Sequence, residues 1–413
     1  MAEEIKLIKA GRIIDGLGGK PLESKIIVVE GKIIKWIGDE NSLHGEKTSN
    51  IIDLSGHTVL PGMIDCHLHT SFNGEPNYYD IVLKQSVAYR TLTSLRNIQS
   101  DLMAGFTTIR VMGEKSHLDI ALKTAINEGI VVGPRIVAAG QNITVTGGHA
   151  DLWLAEDFEY VEGLGGIIAN GPEEFRKAAR NQLKYGADFI KLVVTGGVMS
   201  AGGDPGLPYL SYEEIKAAAD EAHRLGKKTA AHCHGAAGAR VSVEAGCDTI
   251  EHGTLLIKDP EVIQVMAKKG VFLVPTLSVT APSLGGDGSP PEFYIKKSME
   301  VKKYAVESVK YAMKAGVPIA AGTDAGSPGN RHGENARELK LLVDAGMSEM
   351  EAILAGTRVA SQCVGLENEI GTLESGKFAD IIAVKGDPLS DITVLKDVKF
   401  VMKDGQIVKK TKP

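Results

Sequence analysis

From about residue 100 to residue 325 the chain repeats one phrase: a helical stretch, a glycine, then a short apolar run. It reads Leu102-Met-Ala-Gly before Phe106-Thr-Thr-Ile-Arg, and Leu183-Lys-Tyr-Gly before Asp188-Phe-Ile-Lys-Leu-Val-Val. It returns as Arg224-Leu-Gly before Lys228-Thr-Ala-Ala-His, as Glu244-Ala-Gly before Asp248-Thr-Ile-Glu-His, and as Lys268-Lys-Gly before Val271-Phe-Leu-Val-Pro. The last copy is Lys314-Ala-Gly before Pro318-Ile-Ala-Ala-Gly-Thr-Asp. The glycine suits the left-handed residue that ends a helix, and basic residues in several last turns suit the helix dipole. Strands alternating with helices imply βαβ units and a parallel sheet. Candidate strands lie near 59–66, 106–112, 135–140, 188–194, 228–233, 248–252, 271–276 and 318–323. Eight such strands fit a closed α/β TIM (β/α)8 barrel better than an open sheet. An open dinucleotide-binding sheet would more often carry a G-x-G-x-x-G loop after its first strand, and Pro61-Gly-Met-Ile-Asp-Cys-His-Leu-His is not one.

The ends read differently. Residues 5–15, 25–38 and 50–55 are β-type runs, with Val29-Glu-Gly-Lys32 as a hairpin turn. After a last helix at about 349–364, residues 380–385 and 397–409 are again strands, joined at Lys403-Asp-Gly-Gln. Neither flank is long enough for its own core. The chain is therefore expected to divide into 1–57 and 370–413, pairing as one small composite β-sandwich domain, around a barrel at 58–369.

Composition narrows the classes of function. Hydrophobic residues make up 43% and charged residues 24%, which excludes intrinsic disorder. No run of 18 apolar residues suggests a membrane span, and Met1-Ala-Glu-Glu does not resemble an export signal. The net charge of −6, without a compensating basic patch, argues against nucleic acid as a partner. Cys66, Cys233, Cys247 and Cys363 are too few for a disulfide framework in this length, so a cytoplasmic protein with reduced thiols is expected. A homo-oligomer is compatible with the sequence, since surface patches cannot be read from it.

The 11 histidines carry most of the chemistry. His67 and His69 end the first barrel strand in Ile64-Asp-Cys-His-Leu-His. Residues two apart on a strand share a face, so both imidazoles can point into the barrel mouth and share a cation. H-x-H alone is a weak signal, but the C-terminal ends of barrel strands are where active sites form. His232 and His234 end the fifth strand, and His252 ends the sixth. Asp324 ends the eighth, where a carboxylate can ligate a metal and accept a proton from bound water. Lys191 interrupts Phe189-Ile-Lys-Leu-Val-Val, a strand that reads as buried on both faces. An unpaired ammonium there is costly, so Lys191 is either paired with a carboxylate or chemically altered. A neutral lysine amine can add carbon dioxide and become an anionic carbamate able to bridge two cations.

His67-Leu-His69, Lys191, His232, His252 and Asp324, in that strand order, resemble the metal-dependent amidohydrolase superfamily. Gly56-His-Thr-Val-Leu-Pro-Gly-Met-Ile-Asp and Gly371-Thr-Leu-Glu-Ser-Gly-Lys-Phe-Ala-Asp are similar to its flanking signatures. Gly186-Ala-Asp-Phe-Ile-Lys-Leu, Thr195-Gly-Gly-Val, Thr146-Gly-Gly-His149, Ser211-Tyr-Glu-Glu-Ile and Ile250-Glu-His-Gly-Thr resemble its Xaa-Pro dipeptidase (prolidase) and carboxypeptidase-like subgroup. The resemblance implies two divalent metals, usually zinc, bridged by carboxylated Lys191 and a hydroxide. His67, His69 and Asp324 would hold one metal; His232 and His252 would hold the other. It further implies hydroxide attack on the amide of a dipeptide or N-acyl amino acid, with Asp324 carrying the proton. His149 would stabilise the developing oxyanion or bind substrate, and His234 would contact the substrate carboxylate. His332 is assigned no role.

A lactone or organophosphate ester hydrolase would share these ligands. A deaminase of the imidazolone or nucleobase type generally uses one metal, lacks the strand-four lysine and carries a glutamate after the fifth-strand histidine; here Cys-His-Gly-Ala follows His232. A non-catalytic assembly protein would typically have lost ligands that this chain retains.

Overall fold

The computed structural model describes residues 4–43, 50–76, 78–155, 157, 165–280 and 291–411. Seven barrel strands form as Met63–Leu68, Phe106–Val111, Arg135–Ala138, Phe189–Val193, Lys228–Gly235, Thr249–Leu255 and Phe272–Val274. Their pairing is parallel throughout. The eighth segment, 318–325, forms no continuous ladder, yet it closes the ring. Leu273 pairs with Ile319 on one side and Leu68 with Ala325 on the other. Pro318 lacks an N–H to donate, and at Gly322 a Cβ would stand 2.9 Å from that of His67, so only bare backbone fits against the first strand. Between the third and fourth strands the link is a single bond from Asp188 N–H to the Ala138 carbonyl (2.7 Å), and Ala138 N–H donates back to the Asp188 carboxylate (2.9 Å). The structure is the α/β barrel that the alternating pattern predicts.

The run expected as one strand at 59–66 is two. Ile51–Pro61 belongs to the terminal sheet and Met63–Leu68 to the barrel. Gly62 is the crossing point, its N–H bonded to the Asp380 carbonyl (2.8 Å). Pro61-Gly62 marks the crossing, and because 58–68 are buried on both sides of it, burial gives no sign that the sheet changes.

The terminal sheet has seven strands in the order Gln406–Lys410, Val398–Lys403, Ile381–Val384, Ile51–Pro61, Ile5–Ile13, Leu22–Glu30, Ile33–Gly38. Ile5–Ile13 lies parallel to Ile51–Pro61 and the other pairs are antiparallel. The sheet folds over, because its edge at 32–34 bonds to 377–379: Ile34 N–H to the Lys377 carbonyl (2.9 Å) and Ala379 N–H to that of Lys32 (2.8 Å). Ile8, Ile27, Val59, Ile381 and Phe400 fill the space enclosed. Each such side chain contributes about 1.5–3 kcal/mol on burial, enough for a small sheet docked on a barrel. The tight turn at Asp404-Gly405 uses two left-handed residues (φ 48° and 71°), which matches the twist of the strands it joins.

Ser211 and Glu214 form a reciprocal cap that starts helix Tyr212–Arg224. The helix expected at 349–364 is split into Glu349–Ala355 and Arg358–Val364, broken at Gly356-Thr357. Among the described residues no helix is long and apolar enough to cross a membrane.

Candidate active site

One cavity of about 150 Å³ opens among the strand ends, lined by His67, His69, His149, Lys191, His232, His234, His252 and Asp324. Every residue singled out from the sequence is therefore brought together. His67, His69 and Asp324 form one possible metal site, and His232, His234 and His252 a second, with ligand atoms within 4.8 Å of one another in each. His234 lies inside the second histidine group, whereas the sequence reading set it apart as a substrate contact. The two groups adjoin, since the rings of His67 and His252 are 4.8 Å apart. His149 stacks on His232 at the same spacing.

Each ring is oriented through its outer nitrogen. His67 Nδ1 donates to Glu251 (2.7 Å), His252 Nδ1 meets Thr276 Oγ1 (2.8 Å), and His234 Nδ1 meets Thr254 Oγ1 (3.0 Å). His232 is reversed: its Nε2 faces the Gly196 carbonyl at 3.3 Å, which leaves Nδ1 for the site. Such partners fix which nitrogen keeps its lone pair, and so which can bind a cation. Beneath the site, Glu251 also pairs with Arg110 (2.8 Å), whose Nε donates to the Cys66 carbonyl (2.6 Å). Buried Asp65 accepts from Thr323 N–H (3.0 Å), Thr323 Oγ1 (2.6 Å) and Asn335 (2.8 Å), tying the first strand to the eighth so that His67 and Asp324 face each other. The sequence reading missed Arg110, Glu251 and Asp65. Their signal was the same as that of Lys191, a charge inside an apolar strand.

Glu251→Gln is expected to weaken metal binding by about 10–100-fold, because a neutral amide orients His67 without enriching its lone pair. Competition against a chelator measures this directly; unchanged affinity would mean that Glu251 serves only Arg110.

Burial dominates the electrostatics. It drives the imidazolium forms of His67, His232 and His252 far below their ordinary range, and those of His149 and His234 down to about 3. Neutral imidazole is the form that ligates a metal. Burial also pushes Asp324 upward and Lys191 down to about 8. Lys191 Nζ and Asp324 Oδ1 are buried without a hydrogen-bond partner. His67 Nε2 and His69 Nε2 approach Asp324 Oδ1 only to 3.7 and 3.6 Å, too far for hydrogen bonds. A carboxylate and several lone pairs converge without bonding to one another, which is an arrangement a divalent cation would satisfy. His252, Thr276 and Asp324 all have positive φ (70°, 47° and 58°), a conformation few non-glycine residues hold except where function imposes it.

Residues 58–408 match the model of the amidohydrolase family. This chain belongs to that family. It is 33% identical to ochratoxinase of Aspergillus niger over 98% of its length and 87% of that protein. The crystal structure of a Xaa-Pro dipeptidase with methionine bound in its active site superposes with a TM-score of 0.91 at 37% identity, covering 98% of this chain and 100% of that one. A prolidase complexed with N-methylphosphonate-L-proline superposes with a TM-score of 0.91 at 29% identity, covering 99% and 100%. The protein is thus a metal-dependent amidohydrolase acting on C–N bonds, with two histidine-rich sites suited to metal.

In this amidohydrolase His149, which follows the third strand, is held by the loop after the fourth. His149 Nδ1 meets Ser200 Oγ at 3.0 Å, and at Gly197 a Cβ would intrude to 2.3 Å from the ring. Lys297, on helix Glu292–Ala315, clamps this loop by donating to the carbonyls of Ser200 (2.9 Å), Gly202 (2.9 Å) and Gly203 (2.7 Å).

His332 braces the first metal-site candidate. Its Nδ1 donates to Asp101 (2.7 Å) and its Nε2 to the His69 carbonyl (3.1 Å). Burial opposes the charged form, but the Asp101 carboxylate outweighs it and the net shift is upward. A His with a raised folded value contributes stability that is complete below about pH 6.5, its ordinary value, and that is lost as pH rises through the folded value. His332→Gln is accordingly expected to cost about 1–3 kcal/mol at acid pH. The gap from the parent protein in thermal melts should narrow as pH rises; a gap independent of pH would mean that His332 is neutral.

Proposed function

We propose that this amidohydrolase cleaves the amide bond of a dipeptide or an N-acyl amino acid at a centre of two divalent metal ions, usually zinc in such sites. The observation that carries the reading is a buried, partnerless Lys191 amine in the same cavity as two adjoining histidine groups and Asp324. His67, His69 and Asp324 would hold one ion, His232 and His252 the other, and a carbamate on Lys191 would serve both. Bound there, the ions would acidify a water and polarise the scissile carbonyl. Asp324 would accept a proton from the attacking water and deliver it to the leaving amine. His149 would bind the carbonyl oxygen as charge develops on it once the single Ser200 hydroxyl proton turns from the Gly202 carbonyl (2.9 Å) to His149 Nδ1 (3.0 Å), which leaves Nε2–H as donor. Support for an amide next to a free carboxylate comes from the relatives whose structures hold methionine and a phosphonate of L-proline.

The test is a library of dipeptides and N-acyl amino acids presented to the zinc-loaded enzyme. Blocking the free carboxylate of the best substrate as its ester should lower kcat/KM by about 10-fold or more, the worth of one lost charge-assisted contact. Equal rates on acid and ester, or turnover of lactones and organophosphate esters instead, would overturn the assignment.

A further inference from the structure

The proposed substrate carries a carboxylate, which calls for a cation on the cavity wall. His149 and His234 each have one ring nitrogen already engaged, by Ser200 Oγ (3.0 Å) and Thr254 Oγ1 (3.0 Å). Lys297 is spent on backbone carbonyls, and Lys191 belongs with the metal-binding groups. Two further cations line the cavity, Arg90 and Lys115.

Arg90 is 2% exposed. One of its terminal nitrogens donates to Ser71 Oγ (2.8 Å) and lies 3.7 Å from Glu114, while its Nε has no partner. Glu114 is itself occupied by Thr70 Oγ1 (2.9 Å), Ser71 N–H (3.0 Å) and Ser71 Oγ (2.6 Å). Lys115 follows it on the loop after the second barrel strand, and its side chain makes no hydrogen bond or ion pair with a described residue. Arg90, with its unpartnered Nε, and the Lys115 side chain thus place positive charge on one wall of the cavity, among apolar residues that include Phe72, Met112, Leu152 and Met199. Burial, and then repulsion from Arg90, pushes Lys115 downward, as expected of a charge not yet compensated. The loop is held in place: Glu114 N–H bonds to the Gly140 carbonyl (2.7 Å), and His117 bonds to Gln182 (2.9 Å). Ser116 and His117 both take left-handed backbone (φ 57° and 54°).

We propose that Lys115, with Arg90 behind it, receives the carboxylate of the substrate's leaving amino acid and so selects free acids over neutral amides. This rests on the dipeptidase or N-acyl amino acid hydrolase reading above. A charge-assisted contact in a cavity of low polarity would make Lys115 a determinant of specificity, acting on binding and not on proton transfer.

The experiment compares the free acid and the C-terminal carboxamide of one cleaved dipeptide in the parent enzyme, Lys115→Met and Lys115→Arg. In the parent, the free acid should be preferred. In Lys115→Met, kcat/KM for the free acid should fall by about 10-fold or more, mostly through KM, and that for the carboxamide should hold, so that the preference collapses. Lys115→Arg should restore most of it, because any fixed cation can serve. An equal fall on both substrates would assign Lys115 a structural role and overturn the proposal. A preference that survives in Lys115→Met would place the carboxylate elsewhere while leaving the functional reading intact. A parent enzyme that cleaves dipeptides with no preference for the free acid would overturn this proposal and the carboxylate requirement together.

Discussion

Lys191→Ala is expected to lose metal and activity together, by about two to three orders of magnitude or more in kcat/KM, since metal ions supply several kcal/mol of transition-state stabilisation. The side chain is 3% exposed and its nitrogen has no hydrogen-bond partner. Burial brings its value down to about 8, so a sizeable share of neutral amine exists near neutrality, the form that adds carbon dioxide. The resulting carbamate would be an anion at the one place where two cations need a shared ligand. Metal analysis after reconstitution with zinc and bicarbonate should find about two ions per chain in the parent and fewer than one in the variant. Short carboxylic acids added to Lys191→Ala should recover part of both by filling the vacated space. Lys191→Arg should fail fully, because guanidinium stays charged and forms no carbamate. An arginine variant with two metals and normal turnover would move the bridging role to another anion.

Asp324→Asn is expected to lower kcat by about 10²–10⁴-fold, the usual worth of a positioned general base. The amide keeps the shape of the carboxylate but cannot take the proton. Asparagine tolerates the left-handed backbone at this position (φ 58°) as well as aspartate does, so the barrel should fold unchanged. Metal content separates the two jobs assigned to Asp324. If the variant still binds metal and kcat collapses, proton transfer is lost. If kcat is retained at full metal content, the proton travels by another group.

Much of this was legible in the sequence because it is written locally. The helix–glycine–strand phrase sets the period of the barrel, and strand alternation puts His67 beside His69 and His232 beside His234. A charge inside an apolar run betrays Lys191, since nothing in a run of valines and isoleucines can pay to bury an ammonium. What residues say about their own neighbours on the strand, the sequence says plainly.

Tertiary structure decided what depends on distant segments meeting. That Ile51–Pro61 and Met63–Leu68 belong to different sheets is decided by their partners, since Pro61-Gly62 marks a break in the run but not which sheet each side joins. The brace of Glu251 and Arg110 under His67 joins three strands, and Asp65 reaches across to Thr323 and Asn335. The grouping of His234 with the second cluster, and the positive charge that Arg90 and Lys115 place on one cavity wall, arise only when the barrel closes. Backbone periodicity fixes direction along one strand, but distance between strands, and with it every hydrogen bond and every unpaired charge, is set by packing. Sequence could therefore name the candidate ligands, and only the closed barrel could show how each is oriented, which nitrogen it offers, and where charge is left uncompensated.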